Sequence, residues 1–149
     1  MAHARVSLLD SGPELLRLRV EIQDRRPAEV FRDWVEPARL RIWWPPEAEV
    51  DPRVGGRFVF RWPKMNWTLR GTYLVFNPDH ELRFTWTWDH EPDLPKEVAV
   101  TLARLGSDGT VLDLTHSRYS DDARDRDLRE EHLEGWKHFL ARLGEVAGG

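Results

Sequence analysis

The sequence predicts an α+β domain in which one curved antiparallel sheet wraps a long C-terminal helix, in the element order β-α-α-β6-α. Three observations carry this reading: period-two alternation in short segments between residues 15 and 118, turn chemistry dividing those segments, and a change to helical period after residue 123. At 149 residues the chain has the length of one ordinary domain. It divides into a flexible arm over residues 1–13 and a single domain over residues 14–147.

The arm reading rests on the lack of sustained periodicity before Ser11-Gly12-Pro13. The first strand follows, with Leu16, Leu18, Val20 and Ile22 alternating against Arg17, Arg19 and Glu21. Pro27 suits a first helical turn, and Val30, Phe31, Trp34 and Val35 share one face of the helix it opens. Pro37 interrupts that helix and starts a second, Ala38 to Trp43, which ends before Pro45-Pro46. Six strands then occupy residues 47–118. Residues 81–88 are the clearest of them, because Leu82, Phe84, Trp86 and Trp88 face one way and Glu81, Arg83, Thr85 and Thr87 the other. Phe58, Phe60 and Trp62 repeat the pattern, as do Val98, Val100 and Leu102, then Leu112 and Leu114. Hairpin-length connections make the neighbours antiparallel. At about 100° per residue, Leu128, His132, Leu133, Trp136, Phe139, Leu140, Leu143 and Val146 fall in one arc of the last helix. Arg129 also falls in that arc, in the first turn, within reach of solvent. Asp121, Asp122, Asp125 and Asp127 sit at its positive end as a solvated, internally paired start. A sheet curved around a helix does not close tightly along its whole length, and the gap is a natural cavity.

Composition excludes several functions. Without cysteine there is no thiol nucleophile, disulfide framework or Cys-ligated zinc. A net charge of −4 and a pI near 5.9 argue against non-specific binding of nucleic acid or anionic membrane. No apolar run is long enough to span a membrane and no secretory signal opens the chain, so a cytoplasmic protein is expected. The eight tryptophans, against two tyrosines, call for a large aromatic core or pocket.

Arg26-Pro27-Ala28-Glu29-Val30-Phe31, Trp43-Trp44-Pro45, Asp51 to Phe58, Gly71-Thr72-Tyr73, Leu82 to Trp86, Thr115-His116-Ser117 and Gly135-Trp136 occur in an order that resembles the START-like (SRPBCC) superfamily. More narrowly, they resemble the family related to the activator of the ninety-kilodalton heat-shock protein's ATPase. The resemblance spans roughly residues 15–143. It implies the helix-grip fold, a hydrophobic ligand cavity and, for the eukaryotic namesake, binding to the chaperone. Single-domain bacterial-type members mostly lack an assigned activity.

The site residues proposed for a small hydrophobic or aromatic ligand are Trp34, Trp44, Phe60, Trp62, Trp86, Trp88, His116, His132 and Trp136. Trp34, Trp86 and Trp136 point inward by periodicity, with Trp62 and Trp88 near strand ends. Trp43 and Trp44 are consecutive and cannot easily be buried in one direction, which places one of them at the cavity mouth; Trp67 is harder to place. His116 continues the inward parity of β-residues Leu112 and Leu114, and His132 lies in the helical arc. Each imidazole can hydrogen-bond a ligand or move a proton, or it can be a core residue bonded to a backbone carbonyl or an indole N–H. Gly135, in mid-helix, costs about 1 kcal/mol relative to Ala. Close approach of a sheet residue is the expected reason for it, with a ligand as the alternative. No HExxH, GxSxG, P-loop or GxGxxG pattern occurs, so no metal, catalytic residue or cofactor is assigned. Two other readings stand beside ligand binding: a chaperone-binding module, and a cyclase- or aromatase-type enzyme using a cavity histidine.

Overall fold

The computed structural model describes residues 4–147. Residues 1–3 of the expected arm and the side chain of Val146 fall outside that description. Strands β1 (Ala4–Leu9), β2 (Leu15–Ile22), β3 (Glu47–Val50), β4 (Arg57–Trp62), β5 (Trp67–Asn77), β6 (Glu81–Trp88), β7 (Lys96–Leu105) and β8 (Gly109–Ser117) form one antiparallel sheet. Its spatial order is β1-β2-β8-β7-β6-β5-β4-β3. Because β2 pairs with β8, the chain must cross to the far edge before β3. Helices α1 (Pro27–Val35) and α2 (Pro37–Trp43) make that crossing. The long helix α3 (Ala123–Ala147) then packs on the inner face.

The arm is a correction: Ala4–Leu9 forms edge strand β1, in register with β2 from Ala4↔Ile22 to Leu9↔Arg17. Ser11-Gly12-Pro13 belongs to the hairpin turn, closed by the Leu15 N–H on the Gly12 carbonyl. The alternation is faint because Val6 packs on the core while Leu8, of the same parity, is half exposed. Tertiary contact compensates: α3 lies against β1, and a Cβ at Gly144 would fall inside the van der Waals radius of the Ala4 methyl group. Arg129, expected to reach solvent, instead donates to the Leu15 carbonyl (2.8 Å) and to the Ser11 hydroxyl (3.3 Å).

The inner face carries the alternating residues the sequence singles out. Leu16, Leu18, Val20 and Ile22 of β2 are fully buried, and so are Phe58 and Phe60 of β4, Leu82, Phe84 and Trp86 of β6, and Leu112, Leu114 and His116 of β8. On the outer face cross-strand charges meet, as in the bidentate Arg19–Asp113 pair between β2 and β8. The β5–β6 register passes from Tyr73↔Phe84 to Val75↔Arg83, leaving Leu74 as an extra residue. Such a bulge bends its strand and helps curve the sheet. The inner face of α3 presents Leu128, Leu133, Trp136, Leu140 and Leu143, all buried, as the helical period requires.

Candidate functional site

One end of the space between sheet and helix is filled and the other is open. At the filled end Trp34 packs against Trp43 and Trp44, with ring centroids 4.9 and 5.7 Å apart, and Phe58 and Phe60 pack at 4.6 Å. Trp43 also donates its indole N–H to the Asp33 carbonyl at 2.8 Å. At the open end lies a cavity of about 320 Å³. On the sheet side it is walled by Trp62 at the end of β4, Trp67 at the start of β5, and Trp86 and Trp88 at the end of β6. On the helix side Leu128, Glu131, His132, Gly135, Trp136 and Phe139 recur at three- and four-residue spacing, so one face of α3 forms that wall. Trp44 closes the inner end, and Met65, His90 and Glu91 come from the two loops beyond the strand ends. Met65 and Trp67, 57% and 41% exposed, rim the mouth.

Of the nine proposed residues, Trp44, Trp62, Trp86, Trp88, His132 and Trp136 line this cavity. Trp34, Phe60 and His116 do not. Trp34 and Phe60 border a crevice too narrow for water in the aromatic core. His116 is fully buried behind the wall, its ring 4.6 Å from that of Trp86 and 4.5 Å from that of His132. Parity along a strand says which face a side chain takes but not how deep in the groove it lies. Trp43 and Trp44 are both buried, contrary to the expected mouth position: the backbone leaves the helix at Trp44 (φ −125°, ψ −95°), and the two rings lie 5.4 Å apart, both against Trp34. Leu128 and Phe139, on the same helical arc as His132 and Trp136, line the cavity as well. Met65, His90 and Glu91 sit in loops with no period to reveal them.

Gly135 also departs from expectation. A Cβ built on it meets nothing within 4 Å, so no sheet residue occupies its face, and it borders the cavity. The close helix-to-strand approach belongs to Gly144 instead.

The polar part of the site is a chain of rings. Trp136 donates its indole N–H to His116 Nδ1 at 3.0 Å, which places the proton of the neutral imidazole on Nε2. The His116 and His132 rings stack with planes 5° apart. His132 Nδ1 lies 2.7 Å from the Tyr119 hydroxyl. Behind Tyr119, Lys96 Nζ stands 5.2 Å from the ring centroid and binds the Asp125 carboxylate (2.8 Å) and the Arg118 carbonyl (2.9 Å). The Asp125 carboxylate also accepts the Ser120 N–H. Asp125 is therefore not part of a solvated helix start: its side chain and that of Lys96 are 2% and 3% exposed. The capping carboxylate is that of Asp122, which accepts the Asp125 N–H at 2.8 Å.

Burial, then the neighbouring His132 and the Lys96 ammonium, hold His116 well below the usual imidazole range. Burial and Lys96 bring His132 down to about 4, with Asp125 opposing. Burial drives the Asp125 carboxyl up, but the Lys96 and Ser120 hydrogen bonds outweigh it and leave it below the ordinary carboxylate value. Burial raises the Tyr119 hydroxyl, which stays protonated. At neutral pH both imidazoles are uncharged. An imidazole at about 4 is a weak base at pH 7 and serves better as a hydrogen-bonding group than as a proton acceptor. Among the described residues no three His, Asp or Glu side chains gather as a metal site.

An antiparallel sheet curved over a long C-terminal helix is the helix-grip fold of START-like proteins. Within it, the chain belongs to the family described as Activator of Hsp90 ATPase homolog 1-like protein, whose sequence profile matches residues 24–148. Among solved structures, a Mesorhizobium loti protein is 25% identical with a TM-score of 0.75, over 87% of this chain and 95% of that one. A Rhodobacter sphaeroides protein is 19% identical (TM-score 0.77; 97% and 98% covered). An HSP90 activator from Plasmodium falciparum is 21% identical (TM-score 0.76; 91% and 96% covered). No curated protein matches by sequence. No helix among the described residues is long and apolar enough to cross a membrane.

Proposed function

We propose that this chain is a non-enzymatic binding protein for a small apolar or aromatic molecule, held in the cavity between the strand ends of β4–β6 and α3. One observation carries the reading: six of the eight tryptophans, Trp44, Trp62, Trp67, Trp86, Trp88 and Trp136, surround one open space. These indoles also touch one another, with ring centroids 5.1–5.9 Å apart, and the wall they form together still leaves an open space against α3. A volume of about 320 Å³ lies at the lower end of ordinary small-molecule sites, about 300–1,000 Å³, and Gly135 keeps the helix wall clear. The weak basicity of His132 supports binding over proton transfer. Titration with two- and three-ring aromatics, followed by tryptophan fluorescence and amide NMR, tests the reading. Saturable quenching with shifts at Trp86, His132 and Gly135 is expected. The absence of shifts at the cavity for every compound would overturn it.

Family membership favours a second reading, docking to a chaperone. It predicts a changed chaperone ATPase rate on addition of the protein, and an unchanged rate with no complex on gel filtration removes it.

A further inference from the structure

The two edges of the sheet are built differently. The β3 edge is guarded, because β3 has only four residues and two of them, Glu47 and Glu49, are acids. The β1 edge has none of the usual guards. Its six residues include no proline and a single charge, Arg5, and its register with β2 runs on without a bulge. Among the described residues no strand pairs with the far side of β1, so a row of backbone N–H and C=O groups faces outward there. Leu8 lies on the same side of the sheet as α3 and is 52% exposed, although Val6, its neighbour in parity, packs on the core.

The helix beside that edge carries charges that match themselves when reversed. Of the strands, α3 runs closest to β1 and β2, with Gly144 against Ala4 at one end and Arg129 bonded to Leu15 and Ser11 at the other. It therefore lies along β1. Lys137 is two turns before Gly144 and so sits on the β1 flank of the helix, with Glu134 beside it at 3.6 Å; both side chains are exposed. From Gly144 back to Trp136 the helix rises about 12 Å, and from Ala4 to Leu8 the strand advances about 13 Å. Leu8 is thus level with the turn that holds Glu134 and Lys137.

A two-fold axis through Leu8 and normal to the sheet pairs β1 with its own copy in antiparallel fashion. It brings the two Leu8 side chains together and sets Glu134 of each copy beside Lys137 of the other. Farther along the same flank, Glu130 meets Ala141 rather than another acid.

We infer that the chain forms a two-fold dimer through β1, in which two eight-stranded sheets join into one and the α3 helices lie antiparallel across the seam. The partner is a second copy because the exposed leucine, the open edge and the reciprocal charges complement one another about a single axis. Glu131, Gly135 and Phe139 occupy the opposite flank of α3, so the cavity mouth stays open in the dimer and the inference is independent of any ligand.

Sedimentation velocity of the full-length chain over a range of concentrations tests it. A monomer–dimer equilibrium is expected, and hydrogen exchange should show alternate β1 amides becoming protected as the dimer fills. Leu8→Lys should weaken the dimer about a hundredfold, since it removes the apolar contact and places two ammonium groups at the axis. Glu134→Lys and Lys137→Glu, both at exposed positions, should each weaken it about tenfold. An equimolar mixture of those two variants restores opposite charges across the seam and should form a heterodimer as tight as the native dimer. Should Leu8→Lys fail to fold, as judged by circular dichroism, the mixing experiment and the β1 amides of the native protein decide the matter. A dimer that none of these substitutions weakens, or a mixture no tighter than its separate components, overturns the inference. So does a monomer at every concentration up to that of an NMR sample, which would leave the β1 edge to a strand of a different protein.

Discussion

Gly135 offers the sharpest stability test, because its two explanations predict opposite signs. If the glycine made room for a sheet residue, an added methyl group would clash. If it faces open space, Gly135→Ala has only the helical benefit, about 1 kcal/mol in a helix interior. The built Cβ meets nothing within 4 Å, so the structure sets the steric cost near zero. The expected outcome is a gain of about 1 kcal/mol, or about 2–4 °C in Tm for a domain of this size. Gly144→Ala is the internal control. It has the same helical benefit, but its methyl group collides with Ala4 and must displace β1, and overpacking of this kind costs about 1–3 kcal/mol. Urea denaturation of both variants beside the native protein should separate them by about 1–3 kcal/mol, with Gly135→Ala the more stable. Gly135→Trp should fill the cavity and abolish binding of aromatic probes without loss of stability. If Gly135→Ala destabilises the protein by 1 kcal/mol or more, the helix wall is closed and the cavity argument fails.

Other consequences follow from the buried polar chain. His116 and His132 have lowered values in the folded state, so the unfolded chain binds more protons just below pH 6.5. Stability is then complete above about pH 6.5 and declines on acidification. The share of His132 is about 3 kcal/mol by pH 4, measurable as a pH series of urea midpoints, and His132→Phe should flatten that limb. Asp125, whose value is lowered, adds a further loss only as pH falls below the ordinary carboxylate range. Lys96→Met leaves the Asp125 carboxylate buried and unpaired and should cost about 3–5 kcal/mol, whereas a loss under 1 kcal/mol would mean that water reaches the pair. Tyr119→Phe deprives His132 Nδ1 of its partner and should cost about 1–3 kcal/mol by thermal or chemical denaturation.

Much of the scaffold was legible because it is periodic. Strand β6 and the inner face of α3 could be drawn from the alternation of Leu82, Phe84, Trp86 and Trp88 and from the 3.6-residue spacing of Leu128 to Leu143. Strand β1 escaped because its alternation is short and half exposed, and contacts with β2 and α3 organise it rather than its own pattern. The site was legible in part for a related reason. Residues on regular elements, such as Trp86, His132 and Trp136, announced their direction, while Met65, His90 and Glu91 are brought to the cavity by loops. The Lys96–Asp125 pair left no trace, since the two residues are 29 positions apart and either alone reads as a surface charge.

The amino-acid sequence alone determined the α+β class, the order of elements after residue 14, the inner faces and the family, because each depends on local period or on words read in order. Only the tertiary structure decided which aromatics line the open space and which lie wholly within the core, that Gly135 faces a void and Gly144 a strand, and that His116 is sealed while His132 reaches the cavity. Those outcomes depend on depth along a groove, which is set by how a curved sheet and a helix diverge. Periodicity reports direction and carries no information about depth.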